Sequence, residues 1–105
     1  MATANPVILM KFRAALEGLY GDRIERVVLY GSRARGDARA DSDYDVAIFL
    51  KNMKDRWEEA EKIAALSSQM TTETGEVIHA MPYQAGSYLQ RTPLMHDLRR
   101  EGVDI

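Results

Sequence analysis

Cysteine is absent from the 105 residues, which excludes disulfides and thiolate metal sites. An excess of basic charge is also missing. Fourteen Lys and Arg stand against sixteen Asp and Glu, for a formal net charge of −2, whereas a general nucleic-acid binder shows a clear basic surplus. A long RNA or DNA substrate is therefore not expected. Long hydrophobic runs are lacking as well. Residues 1–10 have no basic start and hold only the short apolar stretch 7–10, too short for a signal-peptide core or a membrane span. The expectation is a cytoplasmic protein without a membrane segment. No internal repeat, low-complexity tract or linker divides the chain, so residues 1–105 are expected to form a single domain.

What is present is a globular balance, with 46% apolar and 29% charged residues, composed unlike a disordered chain. The spacing predicts a helix over 6–20, capped by Asn5 with Pro6 at its first position. Ile8, Phe12, Ala15, Leu16 and Leu19 should form its core stripe. Residues 24–30 read as a buried strand through Val27, Val28 and Leu29. A Gly-, Arg- and Asp-rich connection over 31–42 leads to a second strand over 43–50, whose apolar run 46–50 should be covered on both faces. A helix over 54–71 is expected to bury Trp57, Ala60, Ile63, Ala64 and Ser67 along one stripe. A third strand over 76–81 should end at Pro82, and residues 83–91 carry no clear signal. Thr92 and Pro93 should open a last helix, stopped by Gly102, before an edge strand over 103–105. Strands alternating with helices imply an α/β domain, a small mixed β-sheet with helices packed against it.

The chemistry is concentrated in two stretches, Tyr30-Gly31-Ser32-Arg33-Ala34-Arg35-Gly36-Asp37 and Asp41-Ser42-Asp43-Tyr44-Asp45. Gly31 directly follows a strand, where a residue without Cβ permits a tight turn and close approach of a phosphate to backbone amides. Ser32 offers a hydroxyl and an N–H to that phosphate, and Arg33 and Arg35 offer charge-assisted hydrogen bonds. Asp43 and Asp45 occupy alternate positions at a strand start, about 6.6–6.8 Å apart along the chain and on one face. Neighbouring carboxylates repel unless a cation lies between them. Mg²⁺ suits such a pair, because it takes oxygen ligands from one or two carboxylates and from substrate phosphates. Taken singly, a Gly-Ser after a strand is usually a turn, Asp-x-Asp a solvated cap, and the arginines a solvated face. Their combination in this order, each beside an expected strand, is what carries the reading.

Gly31-Ser32, ten intervening residues and Asp43-Tyr44-Asp45 resemble the signature of the polymerase-β-like nucleotidyltransferase superfamily. The fuller run from Gly31 to Gly36 with Ser42-Asp43-Tyr44-Asp45 is similar to its minimal nucleotidyltransferase (MNT) branch. The resemblance implies the nucleotidyltransferase fold and Mg²⁺-dependent transfer of a nucleoside monophosphate, AMP from ATP, to a hydroxyl with release of pyrophosphate. Gly31 and Ser32 would hold the triphosphate, and Asp43 and Asp45 the metal. It also implies a partner, since proteins of this branch are often encoded beside a small helical HEPN-type protein, and some act as antitoxins that transfer AMP to a tyrosine of that partner.

One departure stands out. The superfamily usually carries a third carboxylate on a later strand, and the corresponding stretch here is Glu76-Val77-Ile78-His79-Ala80-Met81. Glu76 can serve as that acid, or His79 can act as a base in its place. The plain alternatives are a strand-end surface glutamate and a half-buried, satisfied histidine. A chain without the third acid can also be a non-catalytic antitoxin or binding module that neutralises its partner by contact. Tyr44, between the two aspartates, should point to the opposite face and pack in the core. His96 should lie on the surface. Met81, Leu94, Met95 and Leu98 fit either core or a partner surface.

Overall fold

The computed structural model describes residues 6–105; the expected cap Asn5 lies outside them. Helix α1 (Pro6–Tyr20) leads through a 3₁₀ turn (Gly21–Arg23) into strand β1 (Ile24–Tyr30). A four-residue helix, α2 (Ser32–Arg35), sits in the connection to β2 (Tyr44–Leu50). Helix α3 (Arg56–Thr74) crosses to β3 (Ile78–Gln84). Helix α4 (Pro93–Glu101) and the short β4 (Val103–Asp104) complete the chain. The strand order is β3-β2-β1-β4. Strand β1 runs antiparallel to both β2 and β4, and β2 runs parallel to β3, so the sheet is mixed as expected.

Alternation along the central strands divides the interior into two layers. Val27, Leu29, Tyr44, Val46, Ile48 and Leu50 face α1 and α3. Val28, Ala47 and Phe49 face Met95 and Leu98 of α4. Residues 46–50 are fully buried, because β2 is central and helices cover both sides. Met95 and Leu98 are thus core, while Met81 and Leu94 are only partly covered.

Three expectations are corrected. Trp57 is 82% exposed instead of buried. The stripe of α3 that meets the core is Glu59, Ile63, Ser67 and Met70. Glu59 can occupy it because its charge is matched there: Arg23 pairs with its carboxylate, and Lys62 approaches it at 3.5 Å. Tyr20 Oη lies 3.5 Å from the same carboxylate, and burial together with the Glu59 charge pushes its phenol up to about 12. Leu19 is exposed as well. The α1 stripe runs Ile8, Leu9, Phe12, Leu16, Tyr20, and the steps of four place Tyr20, not Leu19, over the core.

Pro82, finally, does not end β3 but lies inside it, opposite Ile48. The Tyr44 N–H donates to the Val77 carbonyl and the Ala85 N–H to the Leu50 carbonyl. Odd-numbered residues of β3 therefore turn their backbone groups toward β2, and even-numbered ones toward the open edge. Pro82 lacks its N–H on the side where no ladder needs one.

Candidate active site

The end of β1 and the start of β2 are adjacent, with Tyr30 opposite Asp45 in the antiparallel register. Gly31 follows at φ 74°, ψ −156°, backbone that is essentially restricted to glycine. Space imposes the same choice, because a Cβ on Gly31 would lie 2.5 Å from Asp45 Oδ2. The glycine therefore brings bare backbone against the carboxylate. Its carbonyl accepts from the N–H groups of Ala34 and Arg35 at 3.1 and 3.0 Å, which winds Ser32 into the first turn of α2. Gly36 at φ 83° closes that turn.

Arg33 and Arg35 are two positions apart on a helical turn and so point in different directions. Arg35 is exposed and is held by Asp37 at 3.2 Å and Glu101 at 3.3 Å. Arg33, expected at the phosphate, turns inward and is 6% exposed. Its Nη2 donates to the carbonyls of Ser42 (2.9 Å) and Ala40 (3.2 Å), its Nε donates to Ser42 (3.3 Å), and its guanidinium stacks on the Tyr44 ring at 4.4 Å. It is a brace for the segment that delivers Asp43. Ser42 adds a local lock, accepting the Arg39 N–H at 2.8 Å through its hydroxyl.

Tyr44 is buried on the α1/α3 side, as expected, so Asp45 points to the other face. Asp43 lies one residue before β2 and is exposed. Burial raises the Asp45 carboxyl above the ordinary carboxylate range; His79 counters this, and the Asp43 charge adds to it. Of the two candidates for the third group, His79 lies directly beside Asp45 on β3. Its Nδ1 is 3.7 Å from Asp45 Oδ1, ion-pair distance but beyond a hydrogen bond. Glu76 is grouped instead with the brace, its Oε2 3.9 Å from Arg33 Nη2.

The reading of the sequence missed Tyr30. Its hydroxyl is pushed up to about 12 by burial, by Tyr83 and by the Asp45 charge. Its position as the residue before Gly31 was the available signal.

These residues put two carboxylates and a histidine beside a glycine turn whose backbone carries no side chain. Among the described residues no lysine or arginine pairs directly with Asp43 or Asp45, and no cluster of three or more His, Cys, Asp or Glu is arranged to hold a metal. Two carboxylates with the rest of the oxygen shell supplied by water and substrate phosphates is a donor set that fits Mg²⁺. No helix among the described residues is long and apolar enough to cross a membrane.

Comparison with known proteins bears on the fold and the family. A protein of Methanocaldococcus jannaschii described as a protein adenylyltransferase is 29% identical over 98 residues, covering 93% of this chain and 95% of the relative. Among solved structures, a toxin–antitoxin complex with AMP-PNP matches at TM-score 0.62 and 17% identity, covering 96% of this chain and 72% of the other. A tri-AMPylated HEPN toxin of Shewanella oneidensis in complex with its MNT antitoxin matches at TM-score 0.52 and 14% identity, covering 92% and 70%. The family model described as "Polymerase beta, Nucleotidyltransferase" matches residues 17–95, a span that holds the glycine turn, both aspartates and all three long strands. The chain belongs to that nucleotidyltransferase family.

Proposed function

We propose that the protein transfers AMP from ATP to a hydroxyl of a partner protein, and that the partner is a small helical protein of the HEPN type. The observation that supports this reading is the close approach of Asp45 to Gly31, where an added Cβ would meet Oδ2 at 2.5 Å: it would set a phosphate-accepting turn beside a carboxylate able to hold metal. In this reading Gly31, Ser32 and the exposed Arg35 receive the triphosphate, and Asp43 and Asp45 hold Mg²⁺. When bound, the metal polarises the α-phosphate and offsets the charge of the departing pyrophosphate. The acceptor oxygen forms a bond to the α-phosphorus as the bond to pyrophosphate breaks. The hydroxyl proton passes to His79, whose imidazole stands beside Asp45 and can act as a general base. The tri-AMPylated toxin in the Shewanella complex and the adenylyltransferase description of the archaeal relative support AMP as the transferred group.

The test is incubation of the purified chain with ATP, Mg²⁺ and the helical protein encoded beside it, followed by mass spectrometry of that protein. Addition of adenylyl groups is expected, and Asp45→Asn should lower it at least about a hundredfold, the scale of losing a main electrostatic group of an active site. Full transfer by Asp45→Asn would sink the reading. A second reading, neutralisation by contact alone, draws on the histidine that stands where the family usually has an acid. It requires that Asp43→Asn, Asp45→Asn still silence the partner.

A further inference from the structure

Strand β3 is an edge strand, and its open side is treated unevenly. At the C-terminal half, Pro82 removes a donor, and Arg56 of α3 donates to the Pro82 carbonyl at 3.1 Å. That is a common way of closing an edge to other strands. At the N-terminal half, Ile78 and Ala80 turn their N–H and C=O groups outward, and among the described residues none bonds to them. This open stretch flanks His79, and His79 stands in register with Asp45.

Beside it runs a groove of about 640 Å³ between α3 and β3, lined among others by Trp57, Ala64, Val77, His79 and Met81. Trp57 is 82% exposed and Val77 47%. Together these two side chains leave an apolar wall facing solvent beside the strand edge. Backbone donors and acceptors spaced along an edge, with an apolar wall next to them, match an extended polypeptide, which satisfies the edge by main-chain pairing and sends alternate side chains into the wall. A globular apolar surface would leave those backbone groups unpaired, at a cost.

We propose that the Ile78–Ala80 edge and the Trp57 groove bind an extended, apolar segment of the acceptor protein, pairing it as an added strand that runs past His79. This rests on the reading of the protein as an AMP transferase to a protein hydroxyl, and it names where that protein is held. Neighbouring strands lie about 4.8 Å apart, so the added strand is roughly two spacings from Asp45, within reach of a long side chain carrying the hydroxyl.

The chain has one tryptophan, so Trp57 emission reports on the groove alone. The probe is a synthetic peptide of alternating valine and threonine with a central tyrosine and a lysine at each end. Titration should shift Trp57 emission to shorter wavelength and saturate. Ala80→Pro, which removes an outward N–H and leaves the β2 ladder intact, and Ala64→Arg, an exposed position that fills the groove, should each weaken binding at least tenfold while the ATP-dependent thermal shift stays unchanged. No emission change up to the solubility limit, or equal titration of wild type and both variants, overturns the proposal. So does emission that varies with protein concentration without peptide, which would mean that a second copy fills the groove. Saturable binding with no adenylyl group on the tyrosine upholds the groove and counts against the transfer reading alone.

Discussion

Gly31 and Asp45 are 14 positions apart along the chain, yet the fold leaves no space for a side chain between them. Replacing Gly31 by alanine forces a Cβ to within 2.5 Å of Asp45 Oδ2 and places a side chain in glycine-only backbone, a strain of about 1–3 kcal/mol. Gly31→Ala should therefore unfold at lower temperature and also lose its response to ATP with Mg²⁺, both read in one thermal-denaturation series. An unchanged response would mean that the turn does not form part of the nucleotide site. The two arginines of the same motif differ in an instructive way. Their spacing on a helical turn already required opposite directions. Which one turns inward was decided by the carbonyls of Ala40 and Ser42 and the ring of Tyr44, contacts that exist only once the loop is folded.

At the scale of elements, local signals were legible where local chemistry decides. Thr92 caps α4 as expected, accepting the Met95 N–H at 3.2 Å through its hydroxyl, and β1 and the apolar run of β2 lie where their side chains indicate. Helix α3 shows the limit. Its expected start at residue 54 lies two residues before the observed one at Arg56: Asp55 is the cap, its Oδ1 accepting from Trp57 at 3.0 Å and Glu58 at 3.3 Å. Its core stripe was misread because Glu59 is buried by a partner from the distant Arg23, which no pattern of apolar spacing contains. Asp55→Ala should cost about 1 kcal/mol, or roughly 4–8 °C in a domain of this size, with nucleotide binding intact. A change below one degree would show that the cap contributes nothing. Pro82 was read as a strand end because its edge position follows from topology, not from neighbours in sequence.

The whole molecule is a four-stranded sheet with α1 and α3 on one face and α4 on the other. Its candidate site opens at the end of the two central strands, where β1, β2 and β3 deliver Gly31, Asp45 and His79 side by side. The motif and the fold class were legible because they rest on short runs of residues. The pairing of His79 with Asp45, and the separation of Glu76 from it, needed the parallel register of β2 and β3. The central claim is that these residues form one working nucleotide site, and thermal unfolding tests it without knowledge of the acceptor. ATP with Mg²⁺ at about 100 times its Kd should stabilise the protein by roughly 2.7 kcal/mol, a shift on the order of 10–20 °C. The account predicts that this shift requires Mg²⁺ and vanishes in Asp43→Asn, Asp45→Asn. A shift of the same size without Mg²⁺, or in the double variant, would contradict it.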